Sequence, residues 1–151
     1  MQPLADIDLT WNLAGYQIVI DKMVAVFENA KNKSIWPQEA SLFSGALVRA
    51  EKRNVKVVAG VFGECNIECQ NTVNLESCGT SSQNRLGKRL SVVIGDEKEV
   101  VISEIGPHDE TVGVLSTTPS ITLIAKEYIK HDIWGSYLIE ALGEQKFINI
   151  P

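Results

Sequence analysis

Residues 55–62 read VKVVAGVF, which is an almost unbroken apolar run. Strands with one face in water alternate polar and apolar residues, and this run has almost no polar face to expose. A strand that is covered on both faces, as in a parallel sheet packed between helices, has this composition. The run therefore predicts a central strand of an α/β fold.

The residues before this strand predict a helix, a short strand and a second helix. The first helix has an apolar stripe at spacings of three and four residues, formed by Tyr16, Ile20, Met23, Phe27 and Ala30. Residues 34–36 suffice only for a short strand, and Pro37 suits the first turn of the second helix. The second helix has its own stripe at Ala40, Phe43, Leu47 and Ala50. This order forms a βαβ unit, so we expect a mixed sheet flanked by helices.

The second half of the chain predicts a hairpin, a strand and a closing helix. Two β-rich runs flank residues 95–98, and residues 111–117 form the next strand. Thr118 can cap the closing helix and Pro119 can begin it. We expect this helix to bury Ile121, Ile124, Ala125 and Tyr128, with Trp134 anchoring its end. The polar segment between the halves, residues 63–88, predicts one short strand near residues 72–75.

Composition and charge limit the classes of function. The chain has 151 residues, enough for one domain, with 14 basic and 19 acidic residues. A net charge of −5 repels phosphate backbones, so we expect this chain alone to bind nucleic acid poorly. No apolar run approaches the ~20 residues of a membrane span, and no signal peptide is recognisable, which predicts a cytoplasmic protein without membrane association.

The ordered set of motifs resembles a known family. Trp11 and Gly15 precede the first helix, residues 42–57 follow the pattern L...AL..A..R.VKV, and residues 94–98 form an IGDEK hairpin. This set resembles the phospholipase D-like domain at the C-terminal end of TrmB-type transcriptional regulators. The resemblance implies an N-terminal extension at 1–10, the effector-sensing domain at 11–138 and a tail at 139–151. Family members usually carry a winged helix-turn-helix ahead of this domain, and we expect none within these residues, so the chain is either an excised domain or a natural stand-alone version.

One departure from the phospholipase D pattern concerns catalysis. The enzymes carry His-x-Lys-x4-Asp on the strand that enters the hairpin. Alignment on Asp96 places Arg89 at the histidine and Ser91 at the lysine. Arginine cannot be the nucleophile, and serine cannot supply the cation for a phosphoryl group. The sequence therefore predicts a protein that is not an enzyme. The alternative is a phosphodiesterase of phospholipase D type with displaced catalytic residues.

The resemblance implies a site for a small polar effector, such as a sugar. We expect ligand contacts from Trp36, Glu64, Asn66, Arg89, Ser91 and Asp96, although ordinary hairpin surface also explains Arg89 and Asp96. No cofactor or metal is expected. The three cysteines, Cys65, Cys69 and Cys78, have spacings C-x3-C and C-x8-C. These spacings fit free thiols better than a metal or redox site, which stays an alternative.

The sequence is therefore interpreted as a non-catalytic effector-binding and dimerisation domain of a TrmB-like regulator. The resemblance implies a homodimer, because phospholipase D-like domains pair about a twofold axis, as most soluble oligomers do. It also implies that DNA is reached only through a separate winged-helix domain. The effector would act through its different affinities for two states of the protein.

Overall fold

The structure is a computed structural model that describes residues 9–36, 40–61, 72–74, 84–107 and 110–143. Within these residues, seven strands form one sheet in the order β1-β7-β6-β5-β2-β3-β4. The strands are β1 Thr10–Ala14, β2 Asn32–Trp36, β3 Lys56–Val61, β4 Thr72–Asn74, β5 Arg89–Gly95, β6 Glu99–Ile105 and β7 Val112–Ser116. The helices are α1 Tyr16–Asn29, α2 Ala40–Lys52 and α3 Pro119–Leu142.

The sheet is mixed, as the sequence predicts. β3 pairs in parallel with β2 on one side and with β4 on the other. The remaining neighbours, from β2 through β5, β6 and β7 to β1, pair antiparallel. The predicted strand is confirmed as one with parallel neighbours on both sides, although it lies next to the edge of the sheet and not at its centre; the short strand near residue 72 is also confirmed. The predicted burial of Val57, Val58 and Val61 lies outside the described side chains.

Helices cover both faces of the sheet. On one face, Val19, Met23 and Phe27 of α1 pack with Leu47 of α2 against Val93 and residues of β6 and β7. On the other face, Ala125 and Ile129 of α3 pack against residues 92, 94 and 100. Successive residues of β5 therefore enter opposite cores, because side chains alternate along a strand.

The closing helix differs from its prediction in length and in orientation. It continues to Leu142, well past the expected end at Trp134. Ile124 is 70% exposed, Tyr128 is 40% exposed and Trp134 is 55% exposed, so none of the three is buried as expected. The buried residues are Thr122, Ala125 and Ile129. The prediction is confirmed for Ala125, and Ile121 packs against the same core, so the spacing rule combined residues from two sides of the helix.

Strand β1 was not predicted at all. Thr10 to Ala14 pair with Ser116 to Val112 at the edge of the sheet. The backbone also joins there through the amide of Thr117, which donates to the carbonyl of Leu9 at 2.9 Å. A pairing between segments about a hundred residues apart leaves no local periodic signal, and the exposed pattern of β1 conceals it further.

Gly95 is expected to tolerate no side chain. A Cβ there would lie 3.0 Å from both Cγ1 and the carbonyl oxygen of Val26 and 3.1 Å from Cβ of Ala30. Since α1 backbone cannot yield as a side chain can, Gly95→Ala should lower the free energy of unfolding by about 1–3 kcal/mol. Urea denaturation followed by circular dichroism measures this.

Gly45→Ala in α2 is the matched control. The nearest atom to its new Cβ is the end of the flexible, exposed Arg49 side chain. Alanine should stabilise the helix by up to about 1 kcal/mol. Equal effects of the two substitutions would contradict the packing of α1 on β5.

Candidate functional site

The described polar groups that could meet a ligand gather at one edge of the sheet. β2, β3 and β4 all end there, whereas β5 and β7 begin there and β6 ends there. Trp36 lies opposite Val92 at this level, and Arg89 extends three residues further. We call this the carboxyl edge, the side of an open α/β sheet at which ligands usually bind.

Arg89 is a cation at the carboxyl edge that has no partner among the described residues. It is the first residue of β5 and is exposed. It shares the strand face of Ser91 and Val93, which is the face covered by α1. Within the described part of the chain, no hydrogen bond or ion pair engages its guanidinium. The neighbouring Lys88 is instead committed, because its Nζ donates to the carbonyl of Glu110 at 3.3 Å and lies 3.8 Å from a carboxylate oxygen of Glu104.

The N-terminus of α1 lies at the same edge. Gly15 is its N-cap residue, no side chain caps the helix, and its first turn has no acidic residue. The Gly15 amide donates to the carbonyl of Thr111 at 2.8 Å, which joins the start of α1 to the start of β7. Free amide groups and the helix dipole make such a terminus electropositive.

Thr111 adds a buried hydroxyl beside this helix terminus. The residue is fully buried, and its Oγ1 has no hydrogen-bond partner among the described residues. A buried hydroxyl normally has a partner, because leaving one without costs about 1–3 kcal/mol. The strand that carries Arg89 is two strands away from β7, which is roughly 10 Å. A long arginine side chain can cover much of that distance and approach the start of α1, whereas the Thr111 hydroxyl, like Ser91, is buried in this conformation.

Ser91 is placed differently from its prediction. Its exposure is 1%, beneath α1. The hydroxyl of Ser103 on β6 donates to the Ser91 carbonyl at 3.4 Å and lies 3.4 Å from the sulfur of Met23 on α1. The position that corresponds to the phospholipase D lysine is therefore a core position, and its side chain is not offered to a ligand in this conformation.

Asp96 lies at the opposite edge and not beside Arg89. It occupies the hairpin after β5, so the whole strand, roughly 20 Å, separates the two residues. Its carboxylate accepts a hydrogen bond from the amide of Lys31 at 2.8 Å, which ties the hairpin to the turn before β2. The structure thus gives Asp96 an architectural contact and does not bring it to the carboxyl edge.

The other predicted site residues are described less fully. The backbone of Trp36 ends β2 at the carboxyl edge. Glu64 and Asn66 lie outside the described residues, as do His108 and the three cysteines, so their predicted roles stay predictions. Among the described residues, no three histidine, cysteine or acidic side chains are grouped so as to hold a metal ion. Nor does the described part include a helix both long and apolar enough to cross a membrane.

Sequence reasoning missed the contributions of Gly15, Lys88 and Thr111. The glycine before α1 was noticed as a family motif, and a glycine N-cap with no acidic first turn does indicate an electropositive terminus. Thr111 and Lys88 carry no comparable signal. Their roles follow from the pairing of β6 with β7 and from the packing of α1.

Comparison with known proteins supports the fold. No protein-family profile matches the chain, and no curated protein matches it. Among solved structures, TrmBL2, described as an archaeal chromatin protein with a novel mode of DNA binding, is similar at a TM-score of 0.56 and 14% identity. That match covers 81% of this chain and 50% of the other, so the chain spans about half the length of TrmBL2.

Two further solved structures match this chain over nearly their own whole length. NucT from Helicobacter pylori matches at a TM-score of 0.53 and 12% identity, over 83% of this chain and 95% of NucT. Nuc from Salmonella typhimurium, a phospholipase D family member, matches at 0.54 and 16% identity, over 85% of this chain and 95% of Nuc. At these identities the likeness shows the fold alone, which is mixed α/β and phospholipase D-like.

The prediction from the altered motif that the chain is not an enzyme is wrong. It rested on Arg89 and Ser91 in place of a histidine and a lysine. The structural neighbours include a phospholipase D family member that matches over 95% of its length, so the fold is one on which enzymes are built. The loss of one motif does not remove the other groups of the carboxyl edge.

The contact of Asp96 can be tested by substitution. Asp96→Ala removes the hydrogen bond to Lys31 and places alanine at a φ of 51°. Both effects should together lower the free energy of unfolding by about 1–3 kcal/mol. Asp96→Asn keeps an acceptor and tolerates this backbone conformation, so its effect should stay below about 0.5 kcal/mol. Thermal denaturation of both variants measures these changes. Equal losses of stability in Asp96→Ala and Asp96→Asn would argue against the hydrogen bond to Lys31 as the role of Asp96.

Proposed function

We propose that the chain is a phospholipase D-type domain that binds phosphate esters at the carboxyl edge and hydrolyses phosphodiesters with displaced catalytic residues. The observation that carries the proposal is the exposed guanidinium of Arg89, which has no partner among the described residues and lies on the sheet face and edge at which α1 begins. The phospholipase D-like architecture supports it.

The chemistry of these groups suits a phosphoryl group. A guanidinium donates two parallel hydrogen bonds to phosphate oxygens, and the amides of a helix N-terminus donate further ones. The hydroxyl of Thr111 is fully buried, so it would gain a partner only when ligand binding uncovers it. Donors that are already in place stabilise the charge that develops on phosphoryl oxygens during attack. Glu64, Asn66 and Trp36 would then contact the rest of the ligand, as their sequence positions predict.

The nucleophile must come from outside the usual motif. The chain contains two histidines, His108 and His131. His131 is exposed on α3, which covers the other face of the sheet. His108 belongs to the connection between β6 and β7, whose described ends both lie at the carboxyl edge. We assign the nucleophile to His108. Its ring nitrogen would form a bond to phosphorus as the bond to the leaving alkoxide breaks, and the alkoxide would take a proton from water. A second water molecule would then break the P–N bond and release a phosphate monoester.

Binding tests the phosphate site directly. Titration with inorganic phosphate and with nucleotides by calorimetry should give an affinity that falls about 10- to 100-fold in Arg89→Ala, as expected for a lost charged hydrogen bond. Lys98→Ala removes an exposed cation at the opposite edge and should leave the affinity unchanged. Equal losses in both variants would indicate general electrostatics and no site.

Thr111→Val tests whether the Thr111 hydroxyl contributes to phosphate binding independently of its effect on stability. Valine keeps the shape and removes the hydroxyl that has no partner in the described structure. The variant should be at least as stable as the wild type, because a buried unsatisfied group is lost. Its phosphate affinity should nevertheless fall. A variant that binds as well as the wild type would remove Thr111 from the site.

Catalysis is tested by hydrolysis of bis(p-nitrophenyl) phosphate. His108→Asn should lower the rate at least about 100-fold, while phosphate affinity is retained. His131→Asn is the matched control and should hydrolyse at the wild-type rate. A wild-type protein that binds phosphate but releases no nitrophenol would contradict the proposed hydrolysis.

The second candidate is the effector-sensing domain of a TrmB-like transcriptional regulator, favoured by the match to half of TrmBL2. In that role the site takes a small polar effector such as a sugar, the domain is a homodimer, and DNA is bound through a separate winged helix. The same calorimetry separates the candidates. Binding of neutral sugars without phosphate dependence favours the regulator, whereas turnover of phosphodiesters favours the enzyme.

A further inference from the structure

Lys88 joins three strands at the carboxyl edge. It directly precedes β5, and its side chain is only 27% exposed. Its Nζ donates to the backbone carbonyl of Glu110, two residues before β7, and lies 3.8 Å from a carboxylate oxygen of Glu104 on β6. A lysine usually keeps its ammonium in water, and ordering its long side chain costs entropy. The two contacts therefore hold a side chain that would otherwise move freely.

The connection between β6 and β7 is narrow at the point where Lys88 holds it. A Cβ at Gly106 would lie 3.2 Å from Cβ of Glu110 and 3.5 Å from the carbonyl oxygen of Glu110. These two residues follow the end of β6 and precede the start of β7, and only three residues separate them. The hydrogen bond to the Glu110 carbonyl thus fixes the base of the whole connection.

Gly106 leaves the room that this hydrogen bond needs. Its added Cβ would also lie 3.6 Å from Cε of Lys88, so a side chain there would crowd both the donor chain and the accepting carbonyl. The φ of Gly106 is not positive, so its backbone conformation does not require glycine. Close packing is therefore the reason for glycine at this position. We call the unit formed by Lys88, Gly106 and Glu110 the Lys88 clasp.

The Lys88 clasp connects two groups of the proposed phosphate site. Arg89 directly follows Lys88 and pairs with the last residue of β6. The connection carries His108 two residues from each end of its base, and two residues of chain span at most about 7 Å. The clasp therefore limits how far the base of this connection can shift relative to the strand of Arg89. A displacement of about 1 Å in a reacting group can lower a rate about 100-fold.

We infer that Lys88 is a positioning residue for phosphodiester hydrolysis: it fixes the base of the β6–β7 connection against the strand of Arg89, so that the nucleophile is aligned with the phosphate that Arg89 binds. This inference rests on the proposed function. Glu104 and Glu110 engage the ammonium of Lys88, so Lys88 is not itself a phosphate ligand. Its loss should therefore lower kcat and leave phosphate affinity unchanged.

The test is hydrolysis of bis(p-nitrophenyl) phosphate by the full chain, with kcat and KM determined separately. Lys88→Met keeps most of the stem and removes the donor, so kcat should fall about 10- to 100-fold. KM and the calorimetric affinity for inorganic phosphate should stay within about twofold, because only the alignment in the transition state is lost. Lys88→Arg keeps a cationic donor and should recover most of the lost rate. Lys98→Met, an exposed lysine at the opposite edge, is the matched control and should keep the wild-type kcat.

Two further variants separate the clasp from the ion pair. Gly106→Ala crowds the Glu110 carbonyl and should lower kcat in the same way as Lys88→Met, although the lysine is intact. Glu104→Gln removes a partly exposed charge and leaves the hydrogen bond from Lys88 to Glu110, so kcat should stay within about threefold of the wild type. Circular dichroism establishes that each variant is folded at the assay temperature.

The outcomes distinguish this inference from the proposed function. A Lys88→Met variant with the wild-type kcat overturns the inference and leaves the proposed function standing. A parallel loss of phosphate affinity in Lys88→Met also overturns it, because Lys88 would then support the edge as a whole. So does a fall in kcat in Glu104→Gln as large as in Lys88→Met, which would assign the effect to the ion pair. A wild-type protein that hydrolyses no phosphodiester overturns the proposed hydrolysis and this inference with it.

Discussion

The burial of β5 on both faces is the constraint on which the rest of the structure depends. Val93 enters the core beneath α1 and α2, whereas Val92 and Ile94 enter the core beneath α3. A shift of β5 by one residue would exchange these two sets, because side chains alternate along the strand. The seven pairs between β5 and β6 and the tight hairpin at Asp96 and Glu97 hold the register. Gly95, pressed against α1, confirms how close that helix lies.

The same register creates the carboxyl edge. Residues of β5 with odd numbers face α1, and the helix covers Ser91 but leaves Arg89 exposed. Two positions of one motif thus have opposite environments, one in the core and one in solvent. Thr111 joins the start of α1 because β1 pairs with β7 and brings α1 to that edge, where Arg89 is also exposed. The site is a product of long-range pairing, and no short sequence pattern contains it.

This difference explains how much could be predicted. The class of fold followed from local patterns, since the apolar run of β3 and the stripe of α1 each require only neighbouring residues. Strand β1 could not be predicted, because its partner lies about a hundred residues away. Asp96 was grouped with Arg89 because alignment to a motif counts residues and ignores direction, although a strand of that length carries its ends roughly 20 Å apart. Thr111 became a candidate only when its burial and its missing partner were visible.

The closing helix shows the limit of the periodicity argument most clearly. Its sequence contains two apolar stripes, one through Ala125 and Ile129 and one through Ile124, Tyr128 and Leu138. Periodicity alone cannot rank them, since both follow the helical repeat. The sheet takes the stripe with the smaller residues, because Ala125 lets the helix approach Val92 and Ile94 closely. The stripe with the larger residues stays exposed, so burial on the sheet and not side-chain size alone decides which stripe enters the core.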